Sequence, residues 1–419
     1  MTNRFDAVVI GGGPAGASAA ILLAQAGWSV ALVEKQQFPR RKVCGECIAA
    51  TNLELLDALG IGTVFHATAG APLRKVALIV GQHTVHAQLP PLQTGTHAWG
   101  KALGREHLDT LLVARAAQVG VTVLQPWNVR SITGKHGDYR CEAVTVDSGQ
   151  AQYLHTPIVI AAHGSWELAP GTDVGTREGK RPAKPDDLFA FKANFTDADL
   201  AADVISVLAF QGGYGGMVLG EEAVMTLACC VRRDRLAAAR QENMSHTAAQ
   251  AVHRILTDSC DGVRRALAPA EQVGSWLSTG PIRPGIRQRK SNNVFLIGNA
   301  AGEAHPIVGE GMSMALQSAW LLTQTLIAQR HLLADETAFR RVQHDYVDRW
   351  HACFAQRIRL AALFAHTAMR PHIWSKTLPV LQRWPSLLTM AARYSGKSRP
   401  IYPAMPKSYL LSAQPSAQN

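Results

Sequence analysis

Phe5-Asp6-Ala7-Val8-Val9-Ile10 runs straight into Gly11-Gly12-Gly13-Pro14-Ala15-Gly16, and this stretch decides the fold. Its first half is short and mostly apolar, as a strand buried inside a parallel sheet must be. Its second half is a turn that only glycine makes easily. Gly11 allows the tight bend, Gly13 lets the backbone approach a pyrophosphate, and Gly16 lets helix and strand pack closely. A helix pattern continues to about Ala26, with Gly27 as its stop, and a second strand spans Ser29–Val33. Glu34 follows at the strand end, placed to accept hydrogen bonds from ribose hydroxyls. The helix N-terminus offers unpaired N–H groups and a positive dipole end to phosphates. Strand, glycine turn, helix and acidic strand end in this order predict dinucleotide binding. They do not choose between NAD and FAD.

Working outward, the 419-residue length suggests two or three structural units, and 47% hydrophobic residues suffice for a full core. No secretory signal and no apolar run long enough to span a bilayer is apparent. Seven irregularly spaced cysteines read as reduced thiols of a cytoplasmic protein. Ser412–Asn419 is polar and reads as a disordered end. The net charge of +11 is uneven. No acidic residue follows Asp348, whereas Arg349, Arg357, Arg359, Arg370, Lys376, Arg383, Arg393, Lys397, Arg399 and Lys407 do. Such a tail attracts anionic partners, such as an acidic carrier protein, or is simply a solvated helical face. No nucleic-acid module accompanies the charge, and a lipid-facing surface is the minor alternative.

Four more segments carry information. They are Phe38-Pro39-Arg40-Arg41-Lys42-Val43-Cys44-Gly45-Glu46, Arg105-Glu106-His107-Leu108-Asp109, Ile158 to Gly164, and Gly298-Asn299-Ala300-Ala301-Gly302 with Pro306 to Met312. In this order they resemble the superfamily of aromatic-hydroxylase-type FAD monooxygenases, flavin-dependent halogenases and geranylgeranyl reductases. The first resembles the FPR-x-K-x-CGE loop of the reductases and halogenases, and the last resembles GDAAG with P-x-x-GEG. The resemblance covers residues 1–330 and implies FAD. It implies a cofactor site of Gly11, Gly13, Pro14, Ala15, Gly16, Glu34 and Lys35, then Lys42, Cys44 and Gly45, then Arg105, Ala162 and Gly164. Gly298, Asn299, Ala300, Pro306, Gly309, Gly311 and Met312 complete it. A helix from Met312 to about Gln329 aims a second N-terminus at the cofactor, which suits the anionic end of reduced flavin. Two residues depart from the family. Asn299 stands for the Asp of GD, and His163 for the Asp of DG, which points away from direct NAD(P)H use, so the electron source is NAD(P)H or, instead of it, a partner reductase.

The resemblance implies an α/β, glutathione-reductase-type FAD-binding Rossmann fold with an inserted antiparallel β-sheet substrate domain and C-terminal helices. Residues 1–74, 90–175 and 281–335 form the discontinuous FAD-binding domain. Residues 75–89 and 176–280 form the sheet domain, and 336–419 the helical region. Lys75–Val80 with His83–Leu89 reads as a hairpin, and Asp187–Phe195, Val204–Phe210 and Val224–Val231 as further strands. The Gly-rich run around Tyr214 reads either as backbone beside a ligand or as a hairpin bend.

Three residues are candidates for chemistry. The resemblance places Cys44 and Glu46 near the flavin ring. His305, before Pro306, could act as acid or base near neutral pH. Cys44 and Cys47 form a lone CxxC, which is half of a metal site or a redox dithiol, and no metal is expected. The halogenase motif W-x-W-x-I-P is absent, since no two of the nine tryptophans lie two apart. The reductase lipid-site motif is absent too, with only Tyr214 in a comparable place. The expectation is an FAD-dependent, monooxygenase-like oxidoreductase acting on a small or acyl-carrier-bound biosynthetic intermediate. The alternatives are an ene-reductase, a halogenase, or a non-catalytic flavin electron carrier.

Overall fold

The computed structural model describes residues 3–165, 182–241, 247–290 and 294–393. Ala7–Ile10 is the middle strand of a five-stranded parallel sheet. Val159–Ala161 and then Phe295–Leu296 lie on one side of it, and Val30–Val33 and then Thr122–Leu124 on the other. Each strand leaves the sheet through a helix or a long excursion, as parallel neighbours require. Pro14–Gln25 covers the sheet with an almost entirely buried surface of Ala and Leu. Gly311–Ala328 packs beside it and is apolar nearly all round, so it is buried on all sides. A three-stranded antiparallel meander of Trp127–Lys135, Asp138–Thr145 and Ala151–Thr156 adjoins this unit.

The second sheet has seven strands. Their order is Glu271–Ile282, Leu188–Thr196, Met225–Arg232, Gly213–Leu219, Val204–Phe210, Lys75–Val80 and His83–Gln88. The two-residue side-chain period sorts its faces. Phe191, Ala193, Met217, Leu227 and Cys229 point to one side, where Val252, Ile255 and Leu256 of the Ala248–Ser259 helix cover them. Ala190, Ala209, Tyr214 and Cys230 point to the other, together with Val43 of the 38–46 segment, Ile307 of the second glycine-rich loop, and Ala365 and Trp374 from the C-terminal helices. Those helices are Glu336–Ala368, N-capped by Asp335, then Pro371–Arg383 and Ser386–Ala392.

Three expectations need correction. The inserted sheet is not wholly antiparallel, because Val204–Phe210 runs parallel to Lys75–Val80. The chain enters this sheet twice from the same end, where the Asp203 carbonyl accepts from the Arg74 and Lys75 N–H groups at 2.9 and 3.0 Å. The Gly-rich run is a hairpin bend only at Gly212, φ 72°, and from Gly213 on it is most of the interior strand Gly213–Leu219. The edge strand Glu271–Ile282 and the meander were not foreseen at all. Lys397, Arg399, Lys407 and the polar end Ser412–Asn419 lie outside the described residues. Among the described residues, no helix is long and apolar enough to cross a membrane.

Candidate flavin site

The glycine turn sits where the first strand becomes the Pro14–Gln25 helix. A methyl group on Gly16 would lie 1.9 Å from the Gly11 carbonyl oxygen, so that position admits no side chain. Glu34 is buried at the end of the adjacent strand and folds back on the turn. Its carboxylate accepts from the Gly12 N–H at 2.7 Å and the Gln36 N–H at 2.9 Å. Gly13 faces open space bounded by two guanidiniums, with Arg105 Nη2 and Arg40 Nη2 at 3.7 and 4.0 Å from where its Cβ would stand. Arg105 is held in place by a bidentate pair with Asp109, both bonds 2.7 Å. Burial opposes the Arg105 charge, but Asp109 more than offsets it and raises its pKa. Lys42 lies nearby, its Nζ 4.0 Å from the Cβ position of Gly164. Burial, then Arg105 and Arg40, push the Lys42 amine down to about 8.

Three crowded cations stand at the positive end of a buried helix, opposed among the described residues by Asp109 and Glu34, an arrangement that suits an anion. The Nε of Arg40 is buried with no protein partner. These residues fit the diphosphate of a dinucleotide, with Glu34 placed for its ribose.

The second glycine-rich loop closes the other end. Gly298 donates its N–H to Ser318 Oγ at 2.9 Å, which ties the loop to the Gly311–Ala328 helix. Asn299 donates to Ser165 Oγ at 3.0 Å, and its carbonyl accepts from Arg287 at 2.7 Å. Arg287 also pairs with Glu303. His163 is pushed down to about 4 by burial, then by Arg287 and Lys35, and its Nδ1 is buried without a partner. Glu310, just before the helix, is 1% exposed and bonded to Arg357, which also donates to Gln317 at 2.7 Å. Arg357 of the basic tail is therefore an internal clamp on this loop.

The candidate chemical residues separate into two groups. Glu46 adopts a left-handed backbone, φ 57°, and its carboxylate is fully engaged. It accepts from the Arg105 N–H at 2.8 Å, from Lys192 Nζ at 2.5 Å and from Thr226 Oγ1 at 2.6 Å. Lys192 and Thr226 belong to the second sheet, so Glu46 bolts that sheet onto the first unit. Cys44 lies beside Arg105, and its sulfur accepts from the Glu46 N–H at 3.4 Å. Neither Cys44 nor Cys47 is in a disulfide. His305 lies elsewhere on the same sheet face, with Nδ1 3.0 Å from the Tyr214 hydroxyl. Burial, then His366, lowers His305 to about 4. Burial raises Tyr214 well above 10, and Cys230 adds to this.

Sequence reasoning missed Arg40, Asp109, Lys192, Thr226, Arg287 and Glu310 as contributors. One signal was available: Lys192 is a single cation inside the run Leu188–Phe195, and a charge buried there demands a partner.

Comparison with known proteins agrees with this geometry. A family model described as FAD binding domain matches residues 4–350. The menaquinone reductase of Mycolicibacterium smegmatis is 30% identical over 149 residues, which is 36% of this chain and 35% of that protein. The digeranylgeranylglycerophospholipid reductase 1 of Methanococcoides burtonii is 24% identical over 366 residues, 85% of this chain and 82% of that one. A myxobacterial chondrochloren halogenase superposes with a TM-score of 0.73 at 18% identity, covering 98% of this chain and 96% of its own.

Proposed function

The chain belongs to the FAD-binding-domain family and is an FAD-dependent oxidoreductase, and on that premise we propose that it reduces an unsaturated, apolar substrate. The substrate lies between the Pro306 loop and the Tyr214 face of the second sheet. One observation carries this reading. Val43, Leu78, Ala190, Ala209, Ile282 and Ile307 pack there as one apolar cluster, and within it stands the Tyr214–His305 pair. Reduction of a double bond needs a hydride on one carbon and a proton on the other. FAD, when bound and first reduced by the partner reductase, would supply the hydride. The proton falls to Tyr214, which burial keeps protonated. His305, kept neutral by burial, shares a hydrogen bond through Nδ1 with the Tyr214 hydroxyl, and Cys230 flanks the same oxygen. The M. burtonii reductase, alike over most of both chains, supports the same class of reaction.

Glu46 is not the acid in this scheme, because its carboxylate is occupied by three donors. Arg40, Lys42 and Arg105 hold the diphosphate, Glu34 the adenosine ribose, and the Asn299 loop the flavin's ribityl side. Electrons come from a partner reductase in preference to NAD(P)H, given the neutral, buried His163. Oxygenation is the second reading, favoured by the same apolar surroundings, which exclude water.

A single-turnover experiment tests the choice. The dithionite-reduced protein is mixed anaerobically with a menaquinone or a digeranylgeranyl lipid. Flavin reoxidation coupled to a product two hydrogens heavier is expected. Tyr214→Phe should slow that step by about 100-fold while retaining flavin. Turnover that appears only when oxygen is admitted would replace this reading with the second.

A further inference from the structure

We propose that the C-terminal helices dock this chain onto an anionic lipid bilayer. Ten large apolar side chains are exposed among the described residues, and five of them fall here: Leu363 at 58%, Val380 at 41%, Trp384 at 56%, Leu387 at 37% and Met390 at 51%. The helices that carry them are bound to the protein on one side only. Trp374, Leu381 and Leu388 face the apolar side of the second sheet. Thr389 Oγ1 donates to the Gln88 carbonyl at 2.7 Å, and Gln382 lies 3.3 Å from His83, which fixes both helices on the outer hairpin. The opposite side mixes the exposed apolar groups with cations. Lys376, Val380 and Arg383 recur at the spacing that shares one helix face, and Trp384 follows directly. Arg359 and Leu363 share a face in the same way.

The charge pattern selects the partner. No acidic residue follows Asp348 anywhere in the sequence. Among the described residues, Arg359, Arg370, Lys376 and Arg383 are exposed and have no carboxylate partner. An acidic carrier protein would complement the cations, but it gives no reason for Trp384, Leu387 and Met390 to stand exposed beside them. A bilayer interface accepts both. Headgroup phosphates take the cations, the apolar groups enter the acyl boundary, and Trp favours the zone between. The same helices cover the apolar cluster around Tyr214, so the docked face lies over the proposed substrate region. The docking argument rests on the surface and holds for either reaction.

The test uses the full FAD-loaded chain and co-sedimentation with phosphatidylcholine vesicles, with and without phosphatidylglycerol. Sedimentation with the anionic vesicles, weakened by salt, is expected. Lys376→Gln with Arg383→Gln should weaken it about 30-fold, since each interfacial cation contributes roughly fivefold. Trp384→Ser with Leu387→Ser and Met390→Ser should weaken it at least as much, with flavin absorbance unchanged as the control for folding. The proposal is overturned if the wild type stays in the supernatant at low salt, or if the apolar triple variant sediments like the wild type. It is also overturned if an acidic acyl carrier protein, and not the vesicles, retains the chain. A chain that ignores vesicles but still reduces substrate would leave the flavin reading intact.

Discussion

Replacing Glu46 by Gln separates an architectural role from a chemical one. Gln keeps one acceptor for the Arg105 N–H and can turn its NH2 toward the Thr226 oxygen, with the hydroxyl proton rotated away. What it loses is the charge opposite Lys192, which is 1% exposed. Removing one partner of a buried ion pair costs about 3–5 kcal/mol, because the other charge stays buried and uncompensated. A chain of 419 residues has an unfolding entropy of roughly 0.9 kcal/mol/K, from about 2.1 cal/mol/K per residue. The melting temperature should therefore fall by about 3–6 °C. Glu46→Gln with Lys192→Met removes both charges and should recover most of that loss. Calorimetry on the flavin-loaded proteins measures the shifts, and turnover below the transition measures the chemistry. The single variant should keep its rate within a few-fold at a temperature where it is folded. A variant that melts with the wild type but has lost turnover would refute the reasoning and return Glu46 to the chemistry.

Gly13→Val should abolish flavin uptake with little loss of apoprotein stability, because no atom stands within 3.4 Å of the new Cβ; Gly16→Ala should instead destabilise the apoprotein, with its Cβ 1.9 Å from a backbone oxygen. FAD release on denaturation and the apoprotein melting curve distinguish the two. Binding the diphosphate favours the charged form of Lys42, whose pKa is about 8 without it. FAD binding at pH 8–9 should therefore take up a proton, seen as a buffer-dependent heat in titration calorimetry; equal heats in all buffers would contradict the cation cluster. His163 and His305 both have pKa values lowered to about 4 from 6.5. The unfolded chain then binds more protons between those values, so apoprotein stability should be complete above about pH 6.5 and fall as pH drops towards 4. His163→Gln with His305→Gln should flatten that limb of the pH–stability curve.

The parallel sheet, its glycine turn and Glu34 were legible because each follows from a local rule about strand polarity or backbone freedom. The Gly213–Leu219 strand was not, because its glycines answer to neighbours far away in sequence. A Cβ on Gly215 would lie 2.6 Å from the Ala228 carbonyl oxygen, so absent side chains there mark close strand packing and not a turn. The roles of Glu46 and Arg357 were hidden for the same reason. The motif placed Glu46 in the right loop, but its partners arrive from strands 146 and 180 residues away. Arg357 was counted with a surface tail, yet it reaches inward to Glu310. Cys44 and Arg105 lie together as the motif order implied, since both belong to segments that flank the same turn.

The parallel seam between Lys75–Val80 and Val204–Phe210 has a consequence for how the chain is made. During translation the hairpin ending at Gln88 leaves the ribosome with no neighbour for one edge, and more than a hundred residues separate it from its partner strand. At about 5–20 residues per second, that edge waits roughly 5–25 s. For that time a nascent strand with an apolar face and an open row of peptide groups is available to other chains. Expression at lower temperature, or with more holdase chaperone, should therefore raise the soluble yield of this protein more than its final stability would suggest.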